Sequence, residues 1–173
     1  FSVISPIYFD QTYSVNHNNL NSKNNESEMG VVYAVGANLS GKNFDNLNLQ
    51  NAVFDRADLS NTSFKNTNID GARFVFANLS NSNLLDRIDL SNTNLAVTNL
   101  SNLSLKGKNL TGTILTGADL SNANLTGVDL SGKDLTRTIL TGADLSYKDL
   151  TGTILTGADL SNANLTGVDL SGK

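Results

Sequence analysis

With 173 residues, no cysteine, no tryptophan and a single histidine, the chain can form no disulfide and offers no thiolate to a metal. A formal net charge of −4 and a pI near 4.7 argue against direct binding to nucleic acid, which needs basic stripes to displace counterions. No apolar run approaches the roughly 18 residues of a membrane-spanning helix. Phe1 opens the chain with no basic-then-apolar leader after it, so the sequence reads as a fragment or a processed product.

In chain order, residues 1–15 (FSVISPIYFDQTYSV) are apolar and β-prone. Residues 16–28 are polar and rich in Asn, which predicts a loop. That loop carries His17, read as a solvated side chain rather than a base or a ligand. Residues 29–36 (MGVVYAVG) predict a strand. Residues 1–36 are therefore expected to be an N-terminal cap and an Asn-rich loop, because the open end of a repeat stack needs cover.

From Leu39 onward an apolar residue returns at every fifth position: Leu39, Phe44, Leu49, Phe54, Leu59, Phe64, Ile69, Phe74, Leu79 and Leu84. One six-residue step leads to Leu90, and Leu then recurs every five residues to Leu170, giving 27 centres. A period of five fits neither the helix nor the alternating strand. A chain that turns about a right angle every five residues would keep each centre inside and close a square coil after four repeats. Its backbone groups would pair with the coils above and below at about 4.8 Å.

The other positions agree with this geometry. Two residues after the centre, 21 of 27 positions are Gly or Asn, which tolerate positive φ at a corner. Two residues before it, small side chains such as Ala37, Ala52, Ala118 and Ala143 would share the interior with the large centres. From Thr111 to Ser171 the residue after the centre is always Ser or Thr. Lys42, Lys108, Lys133 and Lys148 fall at the small inward position and are expected to bend outward, with packed stems and heads in water. Lys148 would then meet Asp129, Asp149 or Asp169. The six-residue step predicts a bulge at 85–89. Residues 109–133 recur as 149–173 with only Asn109 changed, to Asp149. Lys173 falls inside a repeat, so the last coil is expected to be uncapped and open to end-to-end association.

The pattern A-(D/N)-L-(S/T)-(G/N), intact in Ala118-Asp119-Leu120-Ser121-Asn122 and Ala123-Asn124-Leu125-Thr126-Gly127, resembles the pentapeptide-repeat family over about residues 37–173. The resemblance implies an all-β fold: a right-handed quadrilateral parallel β-helix of almost seven four-repeat coils, with the short segment 1–36 as its cap.

No catalytic machinery is legible. Ser and Asp abound without a base to form a triad, and the glycines sit at corner spacing rather than in a phosphate-cradling loop. Hence no enzyme activity, cofactor or metal is expected. Two surface columns are candidate sites. Counting faces by repeat number stacks Asp89, Asn109, Asp129, Asp149 and Asp169 in one outward column. By resemblance to the gyrase-protecting members of the family, that column could mimic DNA phosphates. The adjacent face gathers Val53, Val75, Phe76, Ala96, Val97, Ile114 and Ile154, of which Val75, Phe76, Val97, Ile114 and Ile154 form a candidate partner-binding stripe. The leading expectation is an interaction scaffold, the repeat segment of a longer bacterial protein that binds another protein. The alternatives are an acidic DNA mimic acting on a topoisomerase and the targeting segment of a secreted effector. Cytoplasmic and secreted locations both fit.

Overall fold

A computed structural model describes residues 7–8, 31–84 and 89–173. The first strand, β1 (Ile7–Tyr8), runs parallel to β2 (Val32–Tyr33), pairing Ile7 with Val32 and Tyr8 with Tyr33. From Tyr33 on, the chain pairs with itself through single parallel bridges 20 residues apart, such as Asn38 with Asp58 and Asp58 with Asn78. Four pentapeptides therefore make one turn of a parallel β-helix. The Asn-rich loop with His17, most of the apolar segment before it, and residues 85–88 of the six-residue step lie outside the described residues. The flanks of that step are clear, however. Arg73 pairs with Asn94 and Asn78 with Asn99, each 21 residues on, and Asn94 then pairs with Ile114 at the usual 20. One coil absorbs the extra residue, and the register resumes unchanged.

Most repeats are tied to their neighbours by the same few bonds. The centre's N–H reaches the coil ahead, as in Leu59 to Asn78 O at 2.8 Å. The residue before the centre reaches the coil behind, as in Asp58 to Ala37 O at 2.9 Å. The third residue after the centre closes the corner on the centre's own carbonyl, as in Ala57 N–H to Phe54 O at 3.0 Å. These bonds satisfy the backbone without helix or long strand. At the corners the second residue after the centre has positive φ, and Asn or Gly fills most of those sites.

The centres form four internal columns, and the faces are named here for one centre each. The Phe74 face has Phe54, Phe74, Leu95, Leu115, Leu135 and Leu155 behind it. The Leu130 face has Leu49, Ile69, Leu90, Leu110, Leu130, Leu150 and Leu170. The remaining two columns run behind Leu59 and Phe64. In the first coils the core is aromatic. Phe44 stacks on Phe64 with centroids 5.0 Å apart, and Phe54 stacks on Phe74 at 5.3 Å. The two stacks meet edge-on across the channel at 5.9 and 6.3 Å. From Leu90 the channel is all Leu, sealed as far as Leu150. Burial then falls off, from 3% exposure at Leu150 to 37% at Leu170, because each coil needs the next to cover it. Most buried Thr side chains at the small position donate to centre carbonyls of the preceding coil, as in Thr67 Oγ1 to Phe44 O at 2.7 Å, while Thr62 and Thr93 donate to Leu59 O and Leu90 O of their own coil. Thr there is consequently as fit for the interior as Ala.

Candidate functional site

The Leu130 face carries the acidic column. Asp89, Asn109, Asp129, Asp149 and Asp169 are all exposed and share one line, and Asn109 Nδ2 donates to Asp89 Oδ2 at 3.3 Å. Each acid also has a local duty. Asp129 Oδ1 accepts the Ser131 N–H at 2.9 Å and its hydroxyl at 2.7 Å, and the Asp149 and Asp169 carboxylates accept the N–H groups of Thr151 and Ser171 at 2.8 Å. For Asp129 and Asp149 the hydroxyl two residues on, then its N–H, holds the carboxyl below its usual range; for Asp169 the Ser171 N–H leads. Asn takes the same role elsewhere, as Asn38 does for Ser40. The Asp or Asn before each centre is therefore a turn-closing acceptor.

Cations interleave with this column. The expectation that Lys heads stand in water needs correction at Lys133 and Lys148. Lys133 Nζ donates to Leu110 O at 2.5 Å, Lys148 Nζ to Val128 O at 2.8 Å, and Lys173 Nζ to Leu150 O at 2.5 Å. All but Lys173 of the inward-position Lys residues, including Lys42 and Lys108, are half-buried. The reason lies in the carbonyl ladder behind this face: Leu90 O is capped by Thr113, Leu110 O by Lys133, Leu130 O by Thr153 and Leu150 O by Lys173. An ammonium at the end of a long stem does the work of a hydroxyl on a short one. Burial pushes Lys148 below its ordinary range, while Asp144 and Asp129 pull it back. Its acidic neighbours are thus Asp144 and Asp129. Lys173 in turn draws down Asp149 and Asp169. A cleft of about 530 Å³ opens on this face, bordered by Tyr147, Lys148, Asp149, Asp169 and Lys173.

The Phe74 face carries the apolar stripe. Phe76, Val97, Ile114 and Ile154 are 56%, 42%, 46% and 48% exposed, and Val75 is half-buried. The structure divides them. Phe76 and Val97 stand on successive coils at the corner, linked by Phe76 N–H to Ala96 O at 3.3 Å. Ile114 and Ile154 lie on the flat of the face, bridged to Asn94 and Asp134 respectively. Tyr33 and Val35 extend the same face toward β1. Arg73 pairs with Asp55 at 2.6 Å there.

Among the described residues five corners depart from the Gly/Asn rule. Positive φ belongs to Arg56, Phe76, Val97, Arg137 and Tyr147, although none of them is Gly or Asn. The first four occupy one corner of the Phe74 face, where Gly36, Gly117 and Gly157 complete the line. The Arg56 guanidinium lies 5.8 Å from the Phe76 ring centroid. The signal was present in the sequence as exceptions to the Gly/Asn rule, spaced by whole coils.

The pentapeptide repeats family model matches in eight copies, over residues 33–66, 48–84, 94–132, 109–142 and 134–172. The chain belongs to the pentapeptide repeat family. Membership agrees with the parallel bridges and brings the right-handed sense of the helix. Among solved structures, HetL, a pentapeptide repeat protein involved in heterocyst differentiation regulation in the cyanobacterium Nostoc, is 21% identical, covering 78% of this chain and 85% of its own (TM-score 0.36). A pentapeptide repeat protein from the Arabidopsis thaliana thylakoid lumen is 24% identical over 76% of this chain and 70% of its own (TM-score 0.30). QnrB1, a plasmid-mediated fluoroquinolone resistance protein, is 22% identical over 75% and 70% (TM-score 0.33). Comparison with curated protein sequences gives no match. Among the described residues no helix is long and apolar enough to cross a membrane, and no cluster of three or more His, Cys, Asp or Glu is placed to hold a metal ion.

Proposed function

We propose that this pentapeptide repeat chain is a non-enzymatic scaffold, the repeat segment of a longer bacterial protein, and that its Phe74 face receives another protein. One observation carries the reading. Of the nine large hydrophobic residues that stand well exposed among the described residues, six (Tyr33, Val35, Phe76, Val97, Ile114 and Ile154) are on this face. A rigid stack holds them in fixed relation, and exposed apolar patches on such a frame mark protein contacts. A photo-crosslinking amino acid placed at position 76 or at position 129 tests it in cells. Adducts of defined mass at position 76 and none at 129 are expected; equal labelling at both positions defeats the proposal.

The acidic DNA mimic is the weaker reading. A phosphate-like surface needs uncompensated negative charge, whereas Lys133, Lys148 and Lys173 are threaded between Asp129, Asp149 and Asp169. A gyrase supercoiling assay separates the two, since the scaffold reading expects neither inhibition nor protection from quinolones. The apolar plane of Leu160, Leu165 and Leu170 would take another coil, from the same polypeptide or a second copy, and sedimentation of the chain with and without Leu165→Lys tests self-association. The same Phe74 face would serve a cytoplasmic protein or the delivery segment of a secreted effector, and cell fractionation distinguishes these.

A further inference from the structure

The corner of the Phe74 face uses the wrong residues for a corner. Elsewhere along the described solenoid the positive-φ site is Gly or Asn, Tyr147 apart. Here it holds a phenylalanine, a β-branched valine and two arginines, at φ 60°, 55°, 61° and 58° for Phe76, Val97, Arg56 and Arg137. A Cβ is disfavoured in this conformation, most of all a branched one. Packing does not repay it, because Phe76 is 56% and Val97 42% exposed. Strain that so little internal contact offsets points to a use outside the molecule.

The chemistry of the line says what it would receive. Among the described residues the one ion pair within 4.0 Å joins Arg73 to Asp55, so the guanidinium groups of Arg56 and Arg137 have no carboxylate partner at that distance. Arg56 is poised over Phe76. On a chain of net charge −4, this corner alone among the described residues sets two arginines on either side of an apolar pair. Arg and aromatic side chains are what protein interfaces use as anchors. From Arg56 to Arg137 is four coils, about 19 Å at the inter-strand spacing, which about six residues of extended chain would span.

Resting on the scaffold reading, we infer that this corner is a docking line for an extended protein segment with acidic ends and an apolar middle, lying along the solenoid axis. Its carboxylates would pair with Arg56 and Arg137, and its apolar side chains would cover Phe76 and Val97, with Ile114 beside them.

The test uses the full 173-residue chain and a fluorescent octapeptide with two glutamates at each end and Phe-Leu-Val-Thr between them, followed by anisotropy. A control peptide carries lysines in place of the glutamates. Saturable binding that weakens with salt is expected, at least tenfold tighter than the control. Phe76→Asn, Val97→Asn and Arg137→Glu should each weaken it fivefold or more. The two Asn variants install the residue that other corners use, so their melting temperature should hold or rise, which separates lost binding from lost folding. Binding indifferent to these substitutions, or equal for the lysine peptide, overturns the inference. So does absence of saturable binding at millimolar peptide; in that case position-76 crosslinks would still support the face as a contact for a folded partner.

Discussion

The internal duplication supplies a controlled measurement of what the leucine channel is worth. Leu130 and Leu170 sit in the same 25-residue sequence apart from its first residue, yet Leu130 is 1% exposed and Leu170 37%. Truncation to Ala removes three carbons, about 2.4 kcal/mol of transfer free energy for a fully buried side chain. At Leu130 a coil lies on either side and the walls cannot close, so a cavity term adds to this and Leu130→Ala should cost about 3–4 kcal/mol. At Leu170 roughly two-thirds of the transfer term applies, and the open coil relaxes around the loss, so Leu170→Ala should cost about 1.5 kcal/mol or less. Guanidinium unfolding followed by far-UV circular dichroism reads both. Local sequence cannot account for a difference between them, because it is shared. Costs equal within about 0.5 kcal/mol would refute the claim that stacking, rather than the pentapeptide itself, does the stabilising.

Other outcomes follow from the corners and carbonyl caps. A Cβ at Gly167 would come within 2.6 Å of Tyr147 Cδ1, on top of φ +71°, so Gly167→Ala should lose about 1–2 kcal/mol in the same assay, partly recovered by adding Tyr147→Gly, since glycines stacked on glycines leave a Cβ at least 3.5 Å of room. Lys133→Met leaves Leu110 O without its cap and should cost about 1 kcal/mol, whereas Lys133→Thr, the solution used at Thr113 and Thr153, should change stability by less than about 0.5 kcal/mol. Asp58, Asp129, Asp134, Asp144, Asp149, Asp159 and Asp169 all titrate below the ordinary value of 3.8, through bonds from the Ser or Thr two residues on. A depressed folded pKa stabilises fully above the unfolded value and is lost as pH falls through the folded one. Urea midpoints should therefore be level from about pH 7 to 5 and drop below about pH 4, less steeply for Asp129→Asn.

The fold could be read almost directly, because a period of five has one economical explanation and every position in the repeat votes on it. Leu39 through Leu150 point inward, Phe44 stacks on Phe64 and Phe54 on Phe74, and the extra residue between Leu84 and Leu90 stays within one coil. The stacking of Asn109 on Asp89 was legible too, since Asn109 Nδ2 reaches Asp89 Oδ2. What counting could not supply was the chemistry inside the corners. Lys133 looked like a misfit in a slot for Ala, and only the position of Leu110 O shows that the slot has an acceptor at its back. Arg56, Phe76, Val97 and Arg137 were visible as departures from Gly or Asn, but their backbone conformation is a tertiary fact, imposed by the coils on either side.

The alternation of Thr and Lys along the carbonyl ladder sets the increment by which such a molecule can lengthen. Residues 109–133 return as 149–173, so side chains return to their own face after two turns, with Thr113 succeeded by Thr153 and Lys133 by Lys173. A single-turn copy would seat one ammonium directly above another. Two turns are the smallest cassette that preserves both shape and charge order, and a chain extended by further 40-residue blocks should grow as a rod with its surface pattern simply carried on.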